Sequence, residues 1–110
     1  MDLKTEVCEA CGPGARLATA AEVSEWMAQL PQWQQVVENG MPKLQRVIRF
    51  ADFAQALAFT NRVGVLAEQF DHHPALLTEW GQVTVSWWTH SLGGLHRNDF
   101  ILAARTDDLV

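Results

Sequence analysis

The sequence predicts an α+β domain: a four-stranded antiparallel sheet with three helices packed on one face, in the order α-β-β-α-β-β-α. Three observations carry this expectation. Asn39-Gly40 separates two runs rich in β-formers, and a tight type I′ turn needs positive φ at both central positions, which this pair readily supplies. The stretch "ADFAQALAFTNRVGVLAEQF" is a long helical pattern. In "QVTVSWWTH", Val83, Val85 and Trp87 alternate with Thr84, Ser86, Trp88 and His90, the period of a strand with one core face. A hairpin on each side of a long helix segregates sheet from helices.

Each element has its own local warrant. "TAAEVSEWMAQL" reads as a helix, because Thr19 and Glu22 stand at capping-box spacing. Val23, Trp26, Met27 and Leu30 form one apolar stripe behind them, and Pro31 stops the helix. Strands are expected at about 33–38 and 43–50. In the second, Leu44, Ile48 and Phe50 share a face with Arg46, which interrupts the apolar pattern. The long helix should bury Phe53, Leu57, Val63, Leu66, Ala67 and Phe70, with Ala54 and Ala58 beside them. Pro74 disfavours helical geometry at His73, so His72 and His73 sit where this helix gives way. "ALLTEW" and a turn at Gly81 lead into the alternating strand. Gly93-Gly94 ends it, and "RNDFILAARTDDLV" closes the chain as a helix with Ile101, Leu102 and Ala104 inward.

Length and charge narrow the function. A chain of 110 residues, 48% hydrophobic and 19% charged, has the size and balance of one globular domain, here expected over 19–110 with residues 1–18 as an N-terminal tail. The net charge is −5, with eight Lys and Arg, which argues against direct nucleic-acid binding. No apolar run approaches the roughly 18 residues that span a bilayer, and "MDLKTEVCEA" has no apolar signal-peptide core. The expected location is the cytoplasm. Cys8 and Cys11 form a lone C-x-x-C with no second pair and no preceding strand, so an inert or mobile leader is expected there. A sheet of four strands leaves a face or an edge open, so a homo-oligomer is expected.

The chemistry concentrates in "EQFDHHPALLTEW" and in the strand and closing helix beyond it. His72, His73 and His90 come with the carboxylates Glu68, Asp71 and Asp99. Histidine gives and takes protons near neutral pH, and a neighbouring carboxylate fixes its tautomer. Glu68 and His72, four apart, would share a helix face if the last turn reaches that far. Asp99 before "FILAA" also reads as a helix N-terminal cap, and His96 beside Arg97 reads as surface. A mixed N/O metal site from Glu68, His72 or His73, and His90 is the rival; there is no H-E-x-x-H, and adjacent histidines seldom reach one ion together. Residue types and spacing leave acid–base and metal chemistry both open.

The pattern Glu68-x3-His72-His73-Pro74, with Trp80 six residues after the proline, His90 ten later and Asp99 nine beyond, resembles the signature of the pterin-4a-carbinolamine dehydratases. The flanking "FAQALAFTNRVGVLAEQF" and "GLHRNDFILAA" are also similar to that family, so the resemblance covers about 19–105. It implies metal-free dehydration of a 4a-hydroxytetrahydropterin to the quinonoid dihydropterin, with no cofactor, in recycling the tetrahydropterin used by aromatic amino acid hydroxylases. It further implies His72 and His90 as the acid–base pair and His73 as the pterin-orienting histidine. Glu68 and Asp71 would make polar contacts to the site or to its histidines, and Asp99 would orient or bind. Trp88 and Trp80 would offer apolar walls, or Trp80 would be core. A homodimer or homotetramer is implied. The chain departs from many animal members at Leu76, where they carry an aromatic residue, and at Asn98, where they place an arginine. The resemblance also admits two rivals: a dimerisation cofactor for a homeodomain transcription factor, and a relative acting on another pterin, as in molybdenum-cofactor metabolism.

Overall fold

Two hairpins build the sheet. Strands β1 (Gln34–Glu38) and β2 (Met41–Arg49) form the first, β3 (Ala75–Glu79) and β4 (Gln82–Trp87) the second. They join through β2 and β4 in the order β1-β2-β4-β3, antiparallel throughout. Helices α1 (Ala20–Met27), α2 (Phe53–Phe70) and α3 (Arg97–Asp107) complete the α-β-β-α-β-β-α order. The computed structural model describes residues 1–9 and 14–110; Cys11, half of the C-x-x-C, lies outside them.

Local signals set these boundaries. Thr19 and Glu22 close the expected capping box, with Thr19 N–H on Glu22 Oε1 at 2.9 Å and Glu22 N–H on Thr19 Oγ1 at 3.2 Å. Arg16 forks onto the same carboxylate at 2.7 and 3.0 Å. The Arg16 hydrogen bond, with those of the cap, brings the Glu22 carboxyl down to about 2. Asn39 and Gly40 have φ of 52° and 77°, as the primed hairpin turn requires.

The inner sheet face carries Leu44 and Ile48 from β2 and Val83, Val85 and Trp87 from β4, all buried. Arg46, which broke the apolar pattern, reaches from that face to Asp107 of α3, and Trp33 Nε1 donates to the same carboxylate at 2.9 Å. An inward arginine is stable because its charge is met. Trp87 donates its indole N–H to Thr106 Oγ1 at 3.1 Å.

α2 lies over β3 and β4, and α3 over β2 and β4. The inward face of α2 differs in part from the one expected: Ala56, Phe59, Val63, Leu66 and Ala67 are buried, whereas Phe53 and Leu57 are 44% and 43% exposed. Two apolar stripes run along this helix, and periodicity alone did not say which one meets the sheet. In α3, Phe100 to Ala104 are all buried, so this helix is enclosed on every side. Trp26 of α1 packs on Phe100 with ring centroids 5.2 Å apart.

Residues 1–9, expected as an inert or mobile leader, are docked on the domain. Leu3 is fully buried in the core, its N–H bonded to Gln29 Oε1 at 3.1 Å. Trp80 is neither core nor site wall. It sits in the β3–β4 turn, 75% exposed. No described helix is long and apolar enough to cross a membrane.

Candidate active site

The end of α2 sets the site. Asp71 takes the left-handed conformation, φ 49° and ψ 44°, which aspartate tolerates better than most residues. His72 N–H then bonds Ala67 O at 3.1 Å, and Asp71 N–H reaches Glu68 O at 3.4 Å. These are the two bonds of a Schellman motif. The chain therefore reverses before His72, and the last helical turn does not reach far enough to put Glu68 and His72 on one face. Glu68 meets His73 instead, Oε2 to Nε2 at 2.5 Å, on an exposed rim.

His72 turns inward. Its Nε2 lies 2.7 Å from Asp99 Oδ1, and its ring stacks on Trp87 at 6.0 Å and 22°. Asp99, fully buried, accepts on Oδ2 from Thr89 Oγ1 at 2.8 Å and from His96 N–H at 2.9 Å. With the carboxylate accepting from every partner, the His72 proton sits on Nε2. Nδ1 is then the nitrogen left without a proton. Asp99 is indeed part of a helix cap, but it is also the group that orients His72.

β4 ends at Trp87, and His90 opens a short 3-10 turn, His90–Leu92, instead of ending the strand. Gly93, at φ 69°, closes that turn onto the Thr89–Gly94 bridge. His90 is exposed, its ring tilted on Trp88 with centroids 4.4 Å apart, and Lys43 Nζ stands 4.1 Å from the Trp88 ring centroid.

A cavity of about 500 Å³ joins these parts. Of the predicted site residues, Asp71, His72, His73, Trp88 and His90 line it. Asp99 and Glu68 stand behind, each bonded to a lining histidine. Sequence reasoning missed Thr89, Ser91, Glu9 and the lining role of Asn98 and Phe70. Thr89 was available from the alternation that put Trp87 inward; Glu9, distant in the chain, carried no signal. Among the described residues no cluster of three His, Cys, Asp or Glu is arranged to hold a metal ion.

His96 corrects the surface expectation. It is 1% exposed and caps α3. Its Nδ1 accepts from Asn98 N–H at 3.0 Å, and its Nε2 lies 3.2 Å from Glu9 Oε1. Burial pushes its pKa below the usual histidine value, against the pull of Glu9 and Asp99. A capping histidine was hard to foresee, because Ser, Thr, Asp and Asn dominate that position.

Known proteins resemble the chain in sequence and in fold. The family model described as pterin 4 alpha carbinolamine dehydratase matches residues 16–109. A Syntrophotalea carbinolica protein, provisionally named a pterin-4-alpha-carbinolamine dehydratase, is 55% identical over 108 residues, covering 98% of this chain and 96% of its own. A crystal structure of a transcriptional coactivator/pterin dehydratase from Brucella melitensis superposes with a TM-score of 0.77 at 30% identity, over 86% of this chain and 98% of that one. A pterin dehydratase-like protein identified as a RuBisCO assembly factor in the alpha-carboxysome gives a TM-score of 0.58 at 25% identity, over 71% of this chain and 88% of its own. Sequence signature, fold and full-length relatives converge: the chain belongs to the pterin 4 alpha carbinolamine dehydratase family of hydro-lyases.

Proposed function

We propose that the protein removes water from a 4a-hydroxytetrahydropterin to give the quinonoid dihydropterin. The observation that carries this reading is a cavity lined by three histidines, each held by a different partner: buried Asp99, exposed Glu68 and the Trp88 ring. In the reaction the C4a–O bond breaks while the electron pair of the adjacent ring nitrogen forms a C=N bond. One histidine protonates the departing hydroxyl, so that it leaves as water. The other takes the proton from the ring N–H, which conserves charge and protons. His72, through Nδ1, and His90 form this acid–base pair. His73, braced by Glu68, orients the pterin, with Asp71 as a further polar contact and Trp88 as a flat wall for the heterocycle. Asp99 holds the His72 tautomer.

In this reading the protein works in the cytoplasm, recycles the tetrahydropterin of an aromatic amino acid hydroxylase, and needs neither metal nor cofactor. It acts as a homodimer or homotetramer. Exposed Leu57 and Val65 on α2, and Val47 and Leu77 on the sheet, supply apolar surface for that assembly.

A second reading is a binding role, as a transcription-factor dimerisation cofactor or an assembly factor. It draws on the names of the Brucella melitensis coactivator/dehydratase and the carboxysomal assembly factor. Action on another pterin, as in molybdenum-cofactor metabolism, uses the same cavity. Stopped-flow absorbance separates these readings. A hydroxylase generates the 4a-carbinolamine in place, and its decay is followed with and without the protein and a chelator. Chelator-insensitive acceleration to the quinonoid product is expected. No acceleration by folded protein would sink the dehydratase reading in favour of binding or of another pterin.

A further inference from the structure

We infer that Asn98 is a positioning residue that fastens residues 6–9 onto the rim of the pterin cavity, making the N-terminal segment a working wall of the site. The inference rests on the dehydratase reading for its substrate, but the attachment itself is visible in the fold. The segment precedes the residues matched by the family model, and three side chains of α3 hold it. Arg97 donates to Glu6 Oε2 at 3.0 Å and to Val7 O at 3.2 Å. Arg105 donates twice to Glu6 O, at 2.6 and 3.2 Å.

Asn98 makes the closest match to the main chain. Its Oδ1 accepts from Glu9 N–H at 2.9 Å, and its Nδ2 donates to Glu9 O at 2.6 Å. One amide side chain thus satisfies both main-chain groups of one residue, as a neighbouring strand would. Asn98 is 2% exposed, so losing either bond strands a polar group away from water.

The position of this clamp gives it a functional consequence. Glu9 and Asn98 both line the cavity, alongside His72 and His90. Asn98 precedes Asp99, the partner of His72. His96 adds a second tie: its Nδ1 accepts from Asn98 N–H, which leaves its ring proton on Nε2, facing Glu9 Oε1. The first turn of α3 therefore holds the His72 side of the cavity and the N-terminal wall together. An unfastened segment would open that wall and weaken pterin binding, while the acid–base histidines keep their partners.

The test uses the full chain with Asn98→Ala, Glu9→Pro and the double variant. Glu9→Pro removes the clamped N–H from the opposite side and leaves Asn98 in the cavity. Each single variant should raise KM about tenfold with kcat within about twofold, and the double should add nothing further. Amide exchange in residues 3–9 should accelerate in both. Faster exchange with KM unchanged would overturn the inference. So would a KM increase in Asn98→Ala that Glu9→Pro does not share, because Asn98 would then act by touching substrate directly. If the wild type binds a stable 7,8-dihydropterin without dehydrating the carbinolamine, the dehydratase reading falls. The affinities of the two variants for that pterin then decide the clamp alone, weakened in both if it holds and unchanged if it does not. A wild type that neither binds nor turns over a pterin overturns both.

Discussion

At the scale of single residues, the carboxylate behind His72 makes the sharpest prediction. Asp99 accepts three hydrogen bonds while fully buried. Asparagine in its place would present N–H donors where only acceptors fit, and would release the His72 tautomer. Asp99→Asn should lower kcat by at least about a hundredfold, the scale of lost general acid–base catalysis, with KM far less affected in steady-state dehydration kinetics. His72→Ala and His90→Ala should each lose kcat on the same scale, whereas His73→Ala should chiefly raise KM. His96 predicts a pH effect of defined sign. Burial holds its folded pKa below the ordinary 6.5, so the unfolded chain takes up the proton first. Stability is complete above about pH 6.5 and declines as pH falls from there toward the depressed folded value. Urea midpoints at successive pH values should show this decline. His96→Asn, which keeps a capping oxygen, should flatten it. These roles were only partly legible in the sequence. The three histidines and Asp99 stood out by residue type and spacing. His96 did not, because its burial comes from tertiary packing and its partner Glu9 lies far away in the chain.

At the scale of elements, the Asn39-Gly40 turn was readable and the face of α2 was not. Asn39-Gly40 encodes its hairpin within two residues, since positive φ there is a covalent matter. Gly40→Ala should cost about 1 kcal/mol or slightly more in chemical denaturation, although a Cβ at Gly40 meets nothing within 4 Å. α2 offers Phe53 and Leu57 on one stripe and Phe59 and Val63 on another. Which stripe is buried depends on where β3 and β4 lie, a tertiary fact that periodicity does not carry. Phe59→Ala should therefore cost about 3–5 kcal/mol, read as a lowered urea midpoint at unchanged slope. The Glu68–His73 pair makes the same point on a smaller scale. Helical spacing would have put His72 on the face of Glu68 had the helix run on; one left-handed residue, Asp71, ends it first, and Glu68 meets His73.

At the scale of the whole molecule, the exposed apolar residues of α2 and of the sheet predict association. Val65, 69% exposed, lies on the α2 face turned from the core. Val65→Glu should shift sedimentation toward the monomer while thermal unfolding stays cooperative; an unchanged assembly would remove α2 from the interface. The order of elements was legible because each is announced locally. The completeness of the site was not, because its parts come together across the chain. Asp99 finds His72 at a separation of 27 residues, and Asn98 finds Glu9 at 89. That long reach has a consequence for biosynthesis. A ribosome-bound chain that has not yet released α3 holds all three histidines but lacks the carboxylate that pairs with His72 and the amide that holds Glu9. Such a nascent chain has no half-formed catalyst to expose. Domains fold as units, and here the onset of turnover would report that the final helix has docked.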